Sequence, residues 1–284
     1  MKSVILFIMA VSYTLFSFAQ TDSIAVAENQ PSKSTLTLGA IYANSASYYG
    51  EKSEENTAYG ALAATYRFKF GFYLSGLAYR LIKDSNSFVS ASSLGAGFDF
   101  KLGKKISLGL SYNHSFFAAY SPLLQAGNPE NASLALTYAN WLNLSLTGDY
   151  AFGKTNDGFI TAEISKSINL FSLGKKDIIT INPSASIVAG TQHFYQTYLA
   201  EKNLRDSVLG IIDPIFGNPS AGAGSTVTTT AFNMLSYNFK FPVAYNRASY
   251  MVEADYQLSA LSNKAQSSPG KLSSFLTVGF YYQF

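Results

Sequence analysis

Two histidines, His114 and His193, are the side chains best suited to proton transfer near neutral pH, so a catalytic reading of this chain starts with them. His114 stands in the stretch Tyr112-Asn113-His114-Ser115-Phe116. Successive side chains of a strand face opposite ways, so Ser115 lies beyond the reach of His114 as a general base. His193 has Gln192 before it and Phe194 and Tyr195 after it, with no carboxylate or second histidine at metal-ligand spacing. Both histidines read as amphipathic interface residues. No P-loop, dinucleotide fingerprint or zinc motif occurs, and the chain has no cysteine. No catalytic residue, cofactor or metal is expected.

The remaining chemistry lies in charges set between apolar residues at every second position. Tyr250, Val252, Ala254, Tyr256, Leu258 and Ala260 alternate with Glu253, Asp255, Gln257 and Ser259. Leu142, Leu144, Leu146 and Tyr150 alternate in the same way with Asn143, Ser145, Thr147 and Asp149. Alternation of this kind describes a wall with an apolar outside and a polar inside. Applied along the chain, it assigns Arg67, Arg80, Asp99, Asp149, Glu163, Glu253 and Asp255 to the inside, together with Lys69, Lys101 and Lys240. Both signs occur, so the interior is polar without a filter of one sign. Small residues assigned inward in the first five strands (Ala61, Ala63, Gly76, Ala78, Gly95, Gly97 and Gly109) suggest open space there. Lys166 falls on the apolar face and calls for snorkelling or a bulge, and Pro183 points to a bulge because it cannot donate to a ladder.

Twelve segments carry the alternating pattern: 35–49, 57–69, 71–82, 88–102, 105–118, 132–139, 141–152, 158–169, 177–190, 226–241, 248–261 and 272–284. Short connections at Phe70-Gly71, Gly103-Lys104, Asn140, Gly174-Lys175 and 242–247 alternate with longer ones at 50–56, 83–87, 119–131, 153–157, 191–225 and 262–271. Phe68, Phe70, Phe98, Phe100, Trp141, Phe171, Phe239, Phe241 and Phe284 cluster near the short set. Tyr48, Phe116, Tyr120, Phe152, Phe194 and Tyr195 lie near the long set, as two aromatic belts would. The chain of 284 residues holds 22 Phe and 20 Tyr but only 13% charged residues, which favours a wall between two solvents over a soluble sandwich. A net charge of +3 without a basic cluster argues against nucleic acid as a partner.

The chain ends agree. Lys2, the apolar run from Val4 to Phe18 and the small residues Ser17 and Ala19 read as a secretory signal peptide over residues 1–19, with no cysteine after it to take a lipid anchor. Residues 20–34 read as a periplasmic N-terminal segment and 35–284 as the wall. No later stretch is long and apolar enough for a transmembrane helix. In the final stretch Leu272, Leu276, Val278, Phe280, Tyr282 and Phe284 share one face up to the last residue. This pattern resembles the closing strand of Gram-negative outer-membrane β-barrels. The resemblance implies an all-β, up-and-down antiparallel barrel of twelve strands in the outer membrane, with Phe280, Tyr282 and Phe284 as the signal read by the barrel-insertion machinery. It also implies outer-membrane lipid and lipopolysaccharide as surroundings, short turns in the periplasm and long loops outside. Outer-membrane phospholipases carry a His-x-Ser-Asn pattern, and here the position two residues after His114 is Phe116, so the match fails at the nucleophile.

Residues 191–225 form the most unusual connection. Leu204, Val208, Ile211 or Ile212, and Ile215 recur at helical spacing until Asp213-Pro214 ends the pattern. A short helix here is expected to lie over or inside the extracellular mouth, its stripe against the wall, with Glu201, Lys202, Arg205 and Asp206 toward water, solute or a partner. Three functions follow from this reading. They are a narrow channel for small polar solutes, an accessory barrel presenting loops to an envelope, uptake or secretion partner, and a lipid-modifying barrel enzyme.

Overall fold

In the computed structural model, residues 33–55, 57–84, 88–118, 121–209 and 231–284 are described, and for 203–209 the backbone alone. The signal segment 1–19 and most of 20–34 lie outside the described residues. Twelve antiparallel spans make the wall. They are β1 (Thr35–Ala43), β2 (Tyr59–Arg67), β3 (Phe72–Leu81), β4 (Ala91–Lys101), β5 (Ile106–Phe117) and β6 (Glu130–Ala139), followed by β7 (Asn143–Phe152). β8 runs Asn156–Ser165 and resumes at Ile168–Phe171, and β9 runs Asp177–Ile181 and resumes at Ser184–Gly190. β10 (Asn233–Arg247), β11 (Tyr250–Leu261) and β12 (Leu272–Gln283) complete the set. Each span bonds its sequence neighbour, and β1 bonds β12 in the register Ala40↔Phe280, so the sheet closes on itself. Closure matters in lipid because an open edge would leave N–H and C=O groups without partners.

The predicted facing holds along most of the wall. Leu62, Leu94, Leu146, Val252, Val278 and Phe280 are exposed on the outside, whereas Thr65, Ser145, Thr161, Glu163 and Ser259 are buried within. Trp141, Phe171 and Phe284 sit exposed at the turn end. Lys166 lies between the two halves of β8, and its Nζ is 4.8 Å from the Trp141 ring centroid. The ammonium therefore reaches the short-turn rim along an aromatic face, and the conflict at this residue resolves as snorkelling.

Three expectations are corrected. Arg80 pairs with Gly60, beside the exposed Leu62, and lies on the outer face with Gly76 and Ala78. In β3 the large residues Tyr73, Leu77, Tyr79 and Leu81 face inward, so the polarity pattern is inverted there. Second, the stretch 242–247 is strand, with Pro242 opposite Asp255, and the turn is at Ala248-Ser249. Third, the ladder is interrupted at Pro183 but keeps its register across it, and the shifts fall between Asn169 and Phe171 and between Val188 and Ala189. At the second of these β10 inserts Leu235, which the bulge turns inward to full burial.

The inward glycines do not leave open space. A Cβ on Gly97 would fall 2.3 Å from Tyr73 Cζ, one on Gly95 would meet Asn113, and one on Gly279 would strike the Tyr281 ring. These positions are glycine because rings and amides from neighbouring strands lie flat against their backbones.

Candidate functional site

The half of the lumen at the short-turn end is charged on two opposite arcs. On one arc Arg67 Nη1 donates to Asp99 Oδ2 at 2.7 Å, with the Arg67 guanidinium 4.7 Å from the Tyr73 ring centroid and Lys101 two residues beyond Asp99 on the same face. Across the barrel, Lys240 on β10 interacts with Glu163 on β8 and with Glu253 and Asp255 on β11. β3 and β9 stand six strands apart in a ring of twelve, so an arc with more cations faces an arc with more carboxylates. A polar solute between them would meet a transverse field in a confined space, where charges are screened less than in bulk water. Above Lys240, the Asn238 amide oxygen accepts from Ser259 Oγ and Gln257 Nε2, and Asn238 donates to Ser236.

The half at the long-loop end is organised by the loop between β1 and β2, which sequence reasoning passed over. Its small hairpin, Ser47–Tyr48 paired with Glu51–Lys52, turns into the lumen and crosses to the far wall. Tyr49 stacks on Phe159 of β8 with centroids 3.6 Å apart, and Tyr48 meets Phe194 edge-on at 4.8 Å. Ser236 Oγ of β10 donates to the Tyr49 carbonyl at 2.8 Å, and Asn131 Nδ2 of β6 reaches the Tyr49 hydroxyl at 3.5 Å. Gly50 adopts φ +86°, and a Cβ there would fall 2.5 Å from Ser236 Oγ, so this turn requires glycine on both conformational and steric grounds. Tyr48, Tyr49, Leu124, Phe159, Phe194 and Leu235 form one buried cluster inside the barrel. The β5–β6 connection adds the 3₁₀ turn Leu124–Gly127, where Gln125 Nε2 reaches the Tyr79 hydroxyl.

The predicted helix exists as α1 (His193–Leu209). Its N-terminus is held by Asp157 of β8, whose carboxylate is fully buried. Oδ1 accepts from the His193 N–H at 2.8 Å and from Thr191 Oγ1 at 2.6 Å, and lies 3.0 Å from His193 Nδ1. Oδ2 accepts from the Phe194 N–H and from Asn128 Nδ2, each at 2.8 Å. A carboxylate here satisfies two amides that the helix leaves unbonded and lies at the positive end of its dipole. His193 thus serves the helix anchor. Gln192 ties the same point to the last loop, donating to the Lys264 carbonyl and accepting from the Gln266 amide.

Glu201 and Lys202, expected to meet water or solute, are bound to other loops. Glu201 pairs with Lys154, and Lys202 pairs with Glu54 of the hairpin loop. Tyr195 donates to Glu54, and the Glu54 amide donates to the Tyr198 hydroxyl. Lys202 holds the Glu54 carboxyl below its ordinary range. The side chains of Leu204, Arg205, Asp206 and Val208, and all of Ile211 to Ile215, lie outside the described residues. Among the sequence-assigned lumen residues, Arg67, Asp99, Asp149, Glu163, Glu253 and Asp255 face inward. Asp149 lies in the upper half, accepting from Ser133. Phe280, Tyr282 and Phe284 face outward at the barrel's closing seam.

One buried carboxyl at the hairpin is titratable in the physiological range. Burial, and to a smaller degree the charge of Asp157, push Glu51 up to about 7, while Ser267 approaches it and works the other way. The docked hairpin therefore holds a proton that a hydrated Glu51 would release near its usual 4.5. Docking is unopposed below about 4.5, weakens as pH rises, and above about 7 bears the full penalty of about 3 kcal/mol. Raising pH from 5 to 8 is expected to loosen the hairpin, read as lower amide protection factors over 47–52, and Glu51→Gln should remove that dependence. Protection factors that do not change with pH in the parent chain would contradict this account of Glu51.

Neither a family model nor a curated protein matches the chain. Among solved structures, the KdgM porin superposes with a TM-score of 0.50 at 10% identity, over 87% of this chain and 99% of that one. A structure of the KdgM porin in complex with disordered oligogalacturonate gives 0.45 at 12% identity, over 88% and 99% of the two chains. The NanC porin gives 0.46 at 9% identity, over 87% and 98%. With its closed twelve-strand wall and apolar outer face, the chain has the fold of the outer-membrane β-barrel porins.

Proposed function

We propose that this chain, exported by a cleaved signal peptide over residues 1–19, is a narrow outer-membrane channel for small polar solutes, restricted at its extracellular half by the hairpin at 47–52. The observation that carries this reading is the pair of opposed charged arcs, Arg67, Asp99 and Lys101 against Lys240, Glu163, Glu253 and Asp255, in the half of the lumen beneath the hairpin. Buried charges are costly to desolvate, so cations and carboxylates held on opposite arcs are best accommodated with water between them. The test is osmotic swelling of vesicles containing the purified barrel, with a series of neutral sugars of increasing size. Swelling with the smallest sugars and none with the largest supports the channel, and no swelling with any counts against it.

A second reading has its own observation. The hairpin, the turn at Leu124–Gly127 and helix α1 interlock into one packed cap, which is also what an accessory barrel would need to present a fixed surface to an envelope partner. Absence of swelling in both the parent chain and a variant without the hairpin would favour that reading.

A further inference from the structure

The outer wall carries a depression where a membrane barrel is ordinarily lined by large apolar residues. Ala64 of β2 and Gly76 and Ala78 of β3 form its floor, and Leu62, Leu94 and Phe116 stand around it, enclosing about 550 Å³ on the lipid-facing surface. That volume is within the ~300 to 1,000 Å³ of small-molecule sites. The floor is small by residue choice: a Cβ on Gly76 would meet Leu94 only at an ordinary 3.6 Å, so no neighbouring side chain fills the space. Two residues beyond Ala78 toward the extracellular end, Arg80 projects from the same outer face. It is exposed and has no hydrogen-bond or ion-pair partner among the described residues. Ile82 and Phe88, both exposed, continue this corner of the wall above it.

We propose that this groove seats one acyl chain of a phosphate-bearing lipid of the outer leaflet, with the Arg80 guanidinium on the lipid phosphate. An apolar trough along the strands fits a hydrocarbon chain, and an unpaired arginine one step above it, at headgroup level, supplies the complementary charge. A guanidinium presents a fork of donors that matches phosphate oxygens, and its placement at the strand end avoids the cost of a charge at the bilayer midplane. This inference rests on the outer face of the barrel meeting lipid and is independent of whether the lumen conducts.

The test compares retention of phosphatidylglycerol and of an uncharged, phosphate-free monogalactosyl diacylglycerol with identical acyl chains, measured as bound lipid per barrel by native mass spectrometry after detergent exchange. The parent chain is expected to retain phosphatidylglycerol about fivefold better, the equivalent of about 1 kcal/mol for one arginine at a membrane surface. Arg80→Gln should equalise the two lipids, and Ala78→Leu or Gly76→Leu, by filling the groove, should abolish retention of both. Because these substitutions add apolar volume on a lipid-facing surface, folding is checked in each by the parent-like mobility of the unheated barrel. Equal retention of both lipids by the parent, or parent-like retention by folded Ala78→Leu, overturns the site.

Discussion

Replacing Asp157 by alanine is expected to release helix α1 from the barrel mouth at a cost of about 2 to 4 kcal/mol in docking free energy. The estimate combines loss of an N-terminal cap, typically ~0.5 to 2 kcal/mol, with ~1 to 3 kcal/mol for donors left unsatisfied where burial persists. Five donors converge on this carboxylate: the amides of His193 and Phe194, the Thr191 hydroxyl, the Asn128 amide and the His193 ring. What then remains between the helix and the rest of the cap is the packing of Phe194, Tyr195 and Tyr198 and the contacts of Tyr195, Tyr198 and Lys202 with Glu54. Hydrogen exchange at His193 and Phe194 reads this directly. A large loss of protection there, with the wall amides unchanged, is the expected result, and unchanged protection in Asp157→Ala would show that packing alone seats the helix.

Tyr49→Ala should have an effect at least as large on the hairpin. The ring is fully buried and stacked on Phe159, so its removal is expected to cost about 3 to 5 kcal/mol, as for other large aromatic side chains deleted from a packed interior. The other fastenings of the hairpin include the Ser236 hydrogen bond to the Tyr49 carbonyl, the Tyr48 ring contacts and the ties of Glu54 to helix α1, none of which fills the space of the lost ring. Since the chain has no cysteine, a single reporter is clean. Ser47→Cys, at a buried position in the hairpin, should resist a maleimide in the parent and react readily once Tyr49 is alanine. Equal labelling rates would mean that the hairpin does not depend on this ring.

The wall was legible because a strand between lipid and a polar interior must alternate, and β7, β11 and β12 largely do so, although Ala151, Met251, Phe275 and Tyr281 are apolar or aromatic residues buried on the inner face. It failed in β3, where Tyr73 and Tyr79 fill the lumen while Gly76, Ala78 and Arg80 face outward, so residue size and polarity pointed the wrong way. Pro242 was also misleading, because its missing N–H suggests a turn, although β10 continues through it to Arg247. The helix in the long connection showed its period, but its anchor did not, since Asp157 lies 36 residues from His193. Least legible was the hairpin: the alternation reads 35–49 as one strand followed by a loop from Gly50, whereas β1 ends at Ala43 and the inward course of 47–52 is set by Phe159 and Ser236 on distant strands. Spacing alone assigns the inward charges, whereas their sorting into opposed arcs is a property of closure and register.

Single-channel conductance in a planar bilayer tests the central claim most directly, comparing the parent chain with a variant in which residues 46–54 are replaced by a short glycine-serine link. Loop replacement is tolerated thermodynamically where the wall supplies the stability, so the variant should insert normally. The account predicts small, discrete openings in the parent and a several-fold larger conductance in the variant, set by the lumen beneath the hairpin. Absence of conductance in both, from barrels shown to be inserted and folded, would contradict the channel and leave the packed extracellular cap as the functional surface.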